Sequence, residues 1–507
     1  MPAFVRPLLT GALALLAGCV TVPAPVTGPL AALPVVARVD PRFQSYNIEM
    51  VEVTGGRFWA PYGGPPDEQF RQRPPVDLAN PRLRQLAAHL GPAYVRISGT
   101  WANTTHVALP GEPVTLPEGY RQVLTPAQWR GVIDFVRSVD GRIVTSFAAG
   151  AGTRDGQAVW TPVQAQRLLD LTRALGGDLA AAEFYNEPAL LNAGGLPADY
   201  DGAAYLRDFA RFAEWAEVNA PAMQVLGPGN MGEKSLPPAF AAAMLAPLES
   251  MGAEVLLRGT ADRLDGVSWH FYGGQSPRCR GGRPGDVDGR EAAFSDAWLD
   301  LTGVELAEIR RLRDALAPGK PLWLTETGQA ACGGSPWAAG FVDSFRYLNQ
   351  LGLLARAGVT AVMHNTLDAS DYGLIDSETL EPRANYWAAM LWHQTMGPVV
   401  LAAPPAPADL RLYAHCLPAG RGGVGLLALN PGEQERTLAL GVDAQVRLMQ
   451  AADLDRGPVT VNGATPRLAA DGALSGLAQV PVNGDLVLPP HAIAFVQVTG
   501  AGNPACH

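Results

Sequence analysis

The run of apolar and polar positions divides the chain into two textures. Between residues 41 and 398, short apolar runs bounded by Gly, Pro or Asp recur at Tyr46–Val53, Ala93–Ser98, Arg142–Ala148, Ala181–Asn186, Gln224–Gly227, Gly266–Tyr272, Pro321–Glu326 and Thr360–Thr366. Most are continuous rather than alternating, as expected of strands buried on both faces. Between them, apolar residues at helical spacing predict helices over Pro126–Val139, Thr161–Leu175, Tyr200–Asn219, Pro237–Ser250, Leu301–Leu316 and Ala338–Ala357. Thr125 reads as an N-cap, followed by proline at the first helical position. Strand alternating with helix in this way predicts an α/β fold, a (β/α)8 TIM barrel.

Beyond residue 398 the pattern shortens. Ala402–Pro407 is an Ala/Pro linker. Leu410–Cys416, Val424–Leu429, Gln445–Met449 and Ala492–Val498 read as strands, with turns expected at Asn430-Pro431-Gly432, Asn462-Gly463 and Asn483-Gly484. These predict an all-β sandwich over residues 399–507, to which Val35–Val39 could add a strand. At the N-terminus, Arg6 precedes an apolar stretch from Pro7 to Ala17 that closes in Leu16-Ala17-Gly18-Cys19. Residues 1–19 are therefore expected to be an export signal with a bacterial lipobox, Cys19 the lipidated residue, and residues 20–40 a tether. The chain is then an exported lipoprotein attached to a membrane through Cys19, at the outer membrane or facing the periplasm. A plain cleaved signal that happens to contain Cys19 is the alternative.

Charge and cysteines narrow the class. A net charge of -10 argues against nucleic acid as a partner. With Cys19 set aside, four cysteines remain, an even number suited to an oxidising compartment. Cys279 and Cys332 follow two candidate strands on one rim, and Cys416 and Cys506 bracket the C-terminal region. The expected disulfides are Cys279–Cys332 and Cys416–Cys506. His106, His364 and His415 lack metal-ligand spacing, so no metal is expected, and no Gly-rich phosphate loop points to a cofactor.

The candidate chemistry lies in Phe184-Tyr185-Asn186-Glu187-Pro188 and Leu322-Trp323-Leu324-Thr325-Glu326-Thr327-Gly328. Each is an apolar run that delivers a glutamate and then turns, as a barrel strand does at the rim that builds the active site. Two facing carboxylates are what glycoside hydrolysis needs, one to protonate the leaving oxygen and one on the opposite face of the sugar. A structural salt bridge is the plain alternative for either acid alone. Arg96, at the end of the second strand, is expected to bind a catalytic carboxylate rather than a rim acid. His270 is left open between substrate contact and a satisfied core histidine. Trp160 and Trp215 read as core, and Trp337 as core or pocket wall.

These residues resemble glycoside hydrolase family 79, the β-glucuronidases and heparanases of clan A. Beyond the two glutamate segments, the resemblance rests on Leu90-Gly91-Pro92-Ala93-Tyr94-Val95-Arg96, Ser268-Trp269-His270-Phe271-Tyr272, Ala338-Ala339-Gly340-Phe341, Asp371-Tyr372-Gly373-Leu374-Ile375-Asp376, Asn385-Tyr386-Trp387 and Leu412-Tyr413-Ala414-His415-Cys416. It implies Glu187 as acid/base and Glu326 as nucleophile of a retaining enzyme. It also implies Asn186 at the sugar's 2-hydroxyl, Tyr272 bonded to the nucleophile, and Gly333, Gly334 and Tyr372 around the substrate carboxylate. Glu49, Thr100 and Asn365 fall where other hydroxyls are contacted, and Cys416 and Cys506 match the family's β-domain disulfide. The implied substrate is a glycan or glycoside carrying terminal β-linked glucuronic acid. Alternatives are endo-cleavage of a glycosaminoglycan and, from another class, a non-catalytic surface lipoprotein that binds acidic glycans. The loop Gly273–Asp296 carries Arg278, Arg280, Arg283 and Arg290 but no Lys-rich cluster, and the pair Cys279 and Cys332 departs from the heparanase pattern. Both features favour exo-action.

Overall fold

The computed structural model describes residues 29–63, 65, 68–191, 194–234, 247–279 and 289–507. The signal segment with Cys19, Arg280 and Arg283, and most of the helix expected over Pro237–Ser250 lie outside the described residues.

Eight parallel strands close into a barrel: β1 (Gln44–Glu49), β2 (Ala93–Ser98), β3 (Gly141–Ser146), β4 (Leu179–Glu183), β5 (Gln224–Met231), β6 (Gly266–Tyr272), β7 (Leu322–Gly328) and β8 (Ala361–His364). Each is one of the apolar runs singled out in the sequence. They are buried almost throughout, because the barrel interior covers one face and the helical ring the other. The expected helices form at Pro126–Ser138, Val163–Ala174, Gly202–Asn219, Leu301–Leu316 and Val342–Arg356. The first is closed by a reciprocal bond pair between Thr125 and Gln128.

Several boundaries differ from the sequence reading, and two of them leave a glutamate at the active end of the barrel. β1 stops at Glu49, where the chain turns into a short helix, Met50–Thr54, because the Glu52 carboxylate accepts the Glu49 N–H at 2.6 Å. β4 stops at Glu183, so Phe184–Asn186 continue as buried loop. Apolar character carries through both ends, which is why the run alone does not show where pairing stops.

The C-terminal module is one antiparallel eight-stranded sheet that folds over a core of its own, including Leu412, Leu426, Leu438, Leu486 and Val496. Its longest strand, Arg436–Ala451, pairs with Val480–Leu488 along its first part and with Ala492–Val498 along its second. Asn483-Gly484, expected as a turn, lies inside the Val480–Leu488 strand. Its partner carries the irregularity: the register shifts between Ala439 and Val442, a bulge that takes up the left-handed Gly441 (φ 66°) opposite the left-handed Gly484 (φ 86°). Val35–Arg38 joins the sheet beside Val399–Leu401, as expected of that segment.

Barrel and sheet share one hydrophobic core. Phe345, Leu348, Trp387 and Leu391 from the barrel helices Val342–Arg356 and Ala384–Thr395 pack in the same cluster as Tyr413, Leu427, Ile493 and Phe495. The approach is close enough that a Cβ on Gly352 would lie 2.5 Å from the Tyr413 ring, whose hydroxyl donates to Asn349 Oδ1 at 2.6 Å.

Candidate active site

The C-terminal ends of the strands bring charged side chains into an otherwise apolar barrel. Arg96, on β2 and 1% exposed, is their hub. Its guanidinium donates to Glu326 Oε2 at 2.9 Å, Glu183 Oε2 at 2.8 Å and Asn186 Oδ1 at 2.7 Å. The expected bond from Arg96 to the β7 glutamate is present. The bond to Glu183 was not expected. Glu183 also accepts from Ser268 Oγ at 2.7 Å and Thr325 Oγ1 at 2.6 Å. Burial would raise its pKa, but Arg96 and His270 hold it far below the usual carboxylate range. A signal for it existed: a lone acid inside Ala180-Ala181-Ala182-Glu183-Phe184 has to find a cation, since a buried charge without a partner is costly.

Glu187 and Glu326 face each other, with an oxygen of each within 4.8 Å. Glu187 sits in the left-handed region at φ 48°, a conformation that costs a non-glycine residue roughly 1–3 kcal/mol. Asn103, from the turn after β2, holds it there: its amide accepts the Asn186 N–H and donates to the Asn186 carbonyl, both at 2.9 Å. Asn103 was not singled out in the sequence, where it is one polar residue among several in a loop. His270 on β6 lies among three carboxylates. Fully buried, it places Nδ1 3.1 Å from Glu187 Oε1 and 3.7 Å from Glu326 Oε2, and Nε2 3.8 Å from Glu183. Burial opposes charging its ring, but Glu326, Glu183 and Glu187 together push its pKa up to about 10.

The two facing acids are thereby set apart. Burial raises the pKa of Glu187, helped by the charge of Glu326 and only partly opposed by His270. Burial acts on Glu326 too, but there His270, Arg96 and the Tyr272 hydroxyl, which donates at 2.7 Å, win and lower it. Asn365 Nδ2 ties the far wall together, donating to Glu49 Oε1 and the Tyr272 hydroxyl at 2.9 Å and to the Tyr372 hydroxyl at 3.1 Å. Glu49 is buried beside Glu326, and burial with that charge raises its pKa to about 8. Asn186 Nδ2, Glu49 Oε2 and Asn365 Oδ1 are buried polar atoms with no partner among the described residues. Glu187, His270 and Glu326 offer three potential metal donors, but Arg96 and a charged His270 already neutralise the carboxylates.

On the rim after β7, Cys332, Gly333 and Gly334 all have positive φ, at 65°, 84° and 85°. The Gly334 N–H donates to Ala330 O at 3.1 Å, so of the two glycines expected to hold a carboxylate only Gly333 keeps its N–H without a protein acceptor among the described residues. The Tyr372 ring lies 3.2 Å from a Cβ built on Gly334, and its hydroxyl reaches Asn365. Cys279–Cys332 and Cys416–Cys506 are both bonded, with Cα separations of 6.0 and 5.1 Å. Thr100 lies in the Thr100–Thr104 turn after β2 and, among the described residues, makes no side-chain bond to this cluster. Trp337 is core, packed with Ala293 and Val342, as are Trp160 and Trp215.

Known proteins place this arrangement. Heparanase of Mus musculus is 26% identical over 493 residues, covering 85% of this chain and 88% of that protein. The chain is similar to heparanase over most of its length. Inactive heparanase-2 of Homo sapiens also matches, at 26% identity over 280 residues, or 48% of this chain and 44% of its own. A crystal structure of a 4-O-α-L-rhamnosyl-β-D-glucuronidase from Fusarium oxysporum superposes with a TM-score of 0.60 at 13% identity, covering 92% of this chain and 99% of that one. At that identity the likeness concerns the fold. No protein-family profile matches the chain. The superposition shows the shared barrel fold, and the carboxylates of this chain stand where a TIM barrel gathers its catalytic groups.

Proposed function

We propose that this chain is a retaining glycosidase that releases terminal β-linked glucuronic acid from a glycan or glycoside. The observation that carries the proposal is the facing pair Glu187 and Glu326, with an oxygen of each within 4.8 Å and their pKa values pushed in opposite directions by their surroundings. Retaining enzymes hold their two carboxyl groups about 5–5.5 Å apart, and inverting ones about 6.5–9.5 Å. In the first step the ionised Glu326 attacks the anomeric carbon while Glu187 gives its proton to the departing glycosidic oxygen. The product is a covalent glycosyl ester on Glu326. In the second step Glu187, now ionised, takes a proton from water, and the resulting hydroxyl displaces Glu326 from the sugar. The buried Asn186 Nδ2 and Asn365 Oδ1 supply a donor and an acceptor for sugar hydroxyls. At neutral pH Glu49, with its pKa near 8, is largely protonated and adds a donor instead of a third negative charge. The Gly333 N–H and Tyr372 support recognition of a carboxylate without a lysine.

Hydrolysis of p-nitrophenyl β-D-glucuronide tests the reading, with p-nitrophenyl β-D-glucoside alongside. Glu187→Ala is expected to lower kcat by about 10²–10⁴-fold, the range of a general acid, and Glu326→Ala by at least as much. Full turnover in either variant would overturn the assignment. Release of shortened chains rather than single sugars from a glucuronic-acid-containing polysaccharide would turn the reading to endo-cleavage.

A further inference from the structure

We propose that Arg278 is a positioning residue for the substrate carboxylate, acting through the Cys332–Gly333 peptide and not by touching the sugar. The proposal rests on the glucuronidase reading above and extends it to a residue outside the barrel strands.

Arg278 immediately precedes the disulfide-bonded Cys279, and its side chain is 6% exposed. Its guanidinium lies 3.8 Å from the centre of the Tyr62 ring. One arm donates to Gly334 O at 3.0 Å and to Cys332 O at 3.4 Å, and the other pairs with the Asp371 carboxylate. The Asp371 N–H in turn donates to Gly333 O at 3.0 Å. The carbonyls of Cys332 and Gly334 are therefore held by Arg278, the latter shared with the Tyr62 hydroxyl at 2.9 Å, and that of Gly333 by the Asp371 backbone.

In a trans peptide the N–H points opposite to the C=O, so the accounts of the three following N–H groups can be closed. The Gly334 N–H donates to Ala330 O, and the Ser335 N–H to Gln329 Oε1 at 2.8 Å. The Gly333 N–H has no protein acceptor among the described residues, and it belongs to the peptide whose carbonyl faces Arg278. A cation on the oxygen of a peptide polarises it and strengthens its N–H as a donor. The charge of Arg278 thus reaches the substrate carboxylate through one peptide, while Asp371 keeps the guanidinium from competing for the substrate directly. Only an arginine has the planar fork that serves two carbonyls and a carboxylate at once. The two loops are further strapped by the Ser276 N–H to Ala331 O at 3.0 Å and the Ala331 N–H to Gly274 O at 2.9 Å.

The test is steady-state kinetics of Arg278→Gln and Arg278→Lys on p-nitrophenyl β-D-glucuronide, with the glucoside as neutral comparison. Arg278→Gln is expected to raise KM for the glucuronide about tenfold with kcat little changed, the order a hydrogen bond to a charged group carries. Constants for the glucoside should stay put, and Arg278→Lys should fall between. A lowered kcat with unchanged KM, or equal losses on both substrates, would overturn the proposal. If Arg278→Gln proves unfolded by its melting temperature, Arg278→Lys decides: a wild-type KM there overturns it. Failure of the unaltered protein to cleave the glucuronide would instead defeat the functional reading itself, which keeps the two outcomes apart.

Discussion

His270 is the residue on which the charge balance turns. Arg96 and His270 carry two positive charges against Glu183 and Glu326, while burial pushes the pKa of Glu187 upward. Replacing His270 by Gln removes one cation. The pKa of Glu326 should then rise and carry the acid limb of kcat/KM to higher pH; an unmoved acid limb would show that His270 only packs. The same residue predicts a stability trend. Its pKa rises from 6.5 to about 10 on folding, so its contribution is complete below pH 6.5 and is lost as pH climbs through 10. Melting temperatures of the native protein should fall across that window more steeply than those of His270→Gln. At this scale the sequence was partly legible. Glu187, Glu326 and Arg96 stood out because each closes or interrupts an apolar run. Glu183 sits one turn of reasoning deeper, within the strand, and Asn103 acts only by gripping a peptide far along the chain. His270 could not be judged until three carboxylates were seen around it.

At the scale of elements, the strands were legible and their ends were not. The barrel and the β module follow from runs of apolar residues, but the strand ending at Glu49 turns on a hydrogen bond to Glu52 that no periodicity encodes, and the one ending at Glu183 stops inside an apolar run. The Asn483-Gly484 pair shows the converse: a turn signature is absorbed into a strand when the partner strand bulges opposite it. The two disulfides staple different things. Cys416–Cys506 closes a loop within the β module, and Cys279–Cys332 joins the two rim loops that carry Arg278 and Gly333. Replacing either pair by serines should cost roughly 2–4 kcal/mol of stability. Only the Cys279/Cys332 variant should also raise KM for the glucuronide, by severalfold. Equal kinetics in both variants, measured beside thermal unfolding, would show the rim disulfide to be structural alone.

For the molecule as a whole, the shared core makes the β module a wall of the barrel rather than an appendage. Cutting the chain after residue 398 would expose the faces of Val342–Arg356 and Ala384–Thr395 that now meet Tyr413, Leu427 and Phe495. Burying one such large apolar side chain is worth about 1.5–3 kcal/mol, so the isolated barrel should aggregate or unfold on expression; a soluble, cooperatively melting 29–398 fragment would refute this. The pairing of Val35–Arg38 with Val399–Leu401 has a consequence in time as well as space. During synthesis the segment at residues 35–38 emerges early, yet its neighbour in the sheet leaves the ribosome only after the entire barrel. Until then its edge is an open template for any passing strand. The last fifth or so of a newly made chain therefore controls when the strand at residues 35–38 is put out of harm's way, and a stalled ribosome leaves behind a product with an adhesive end.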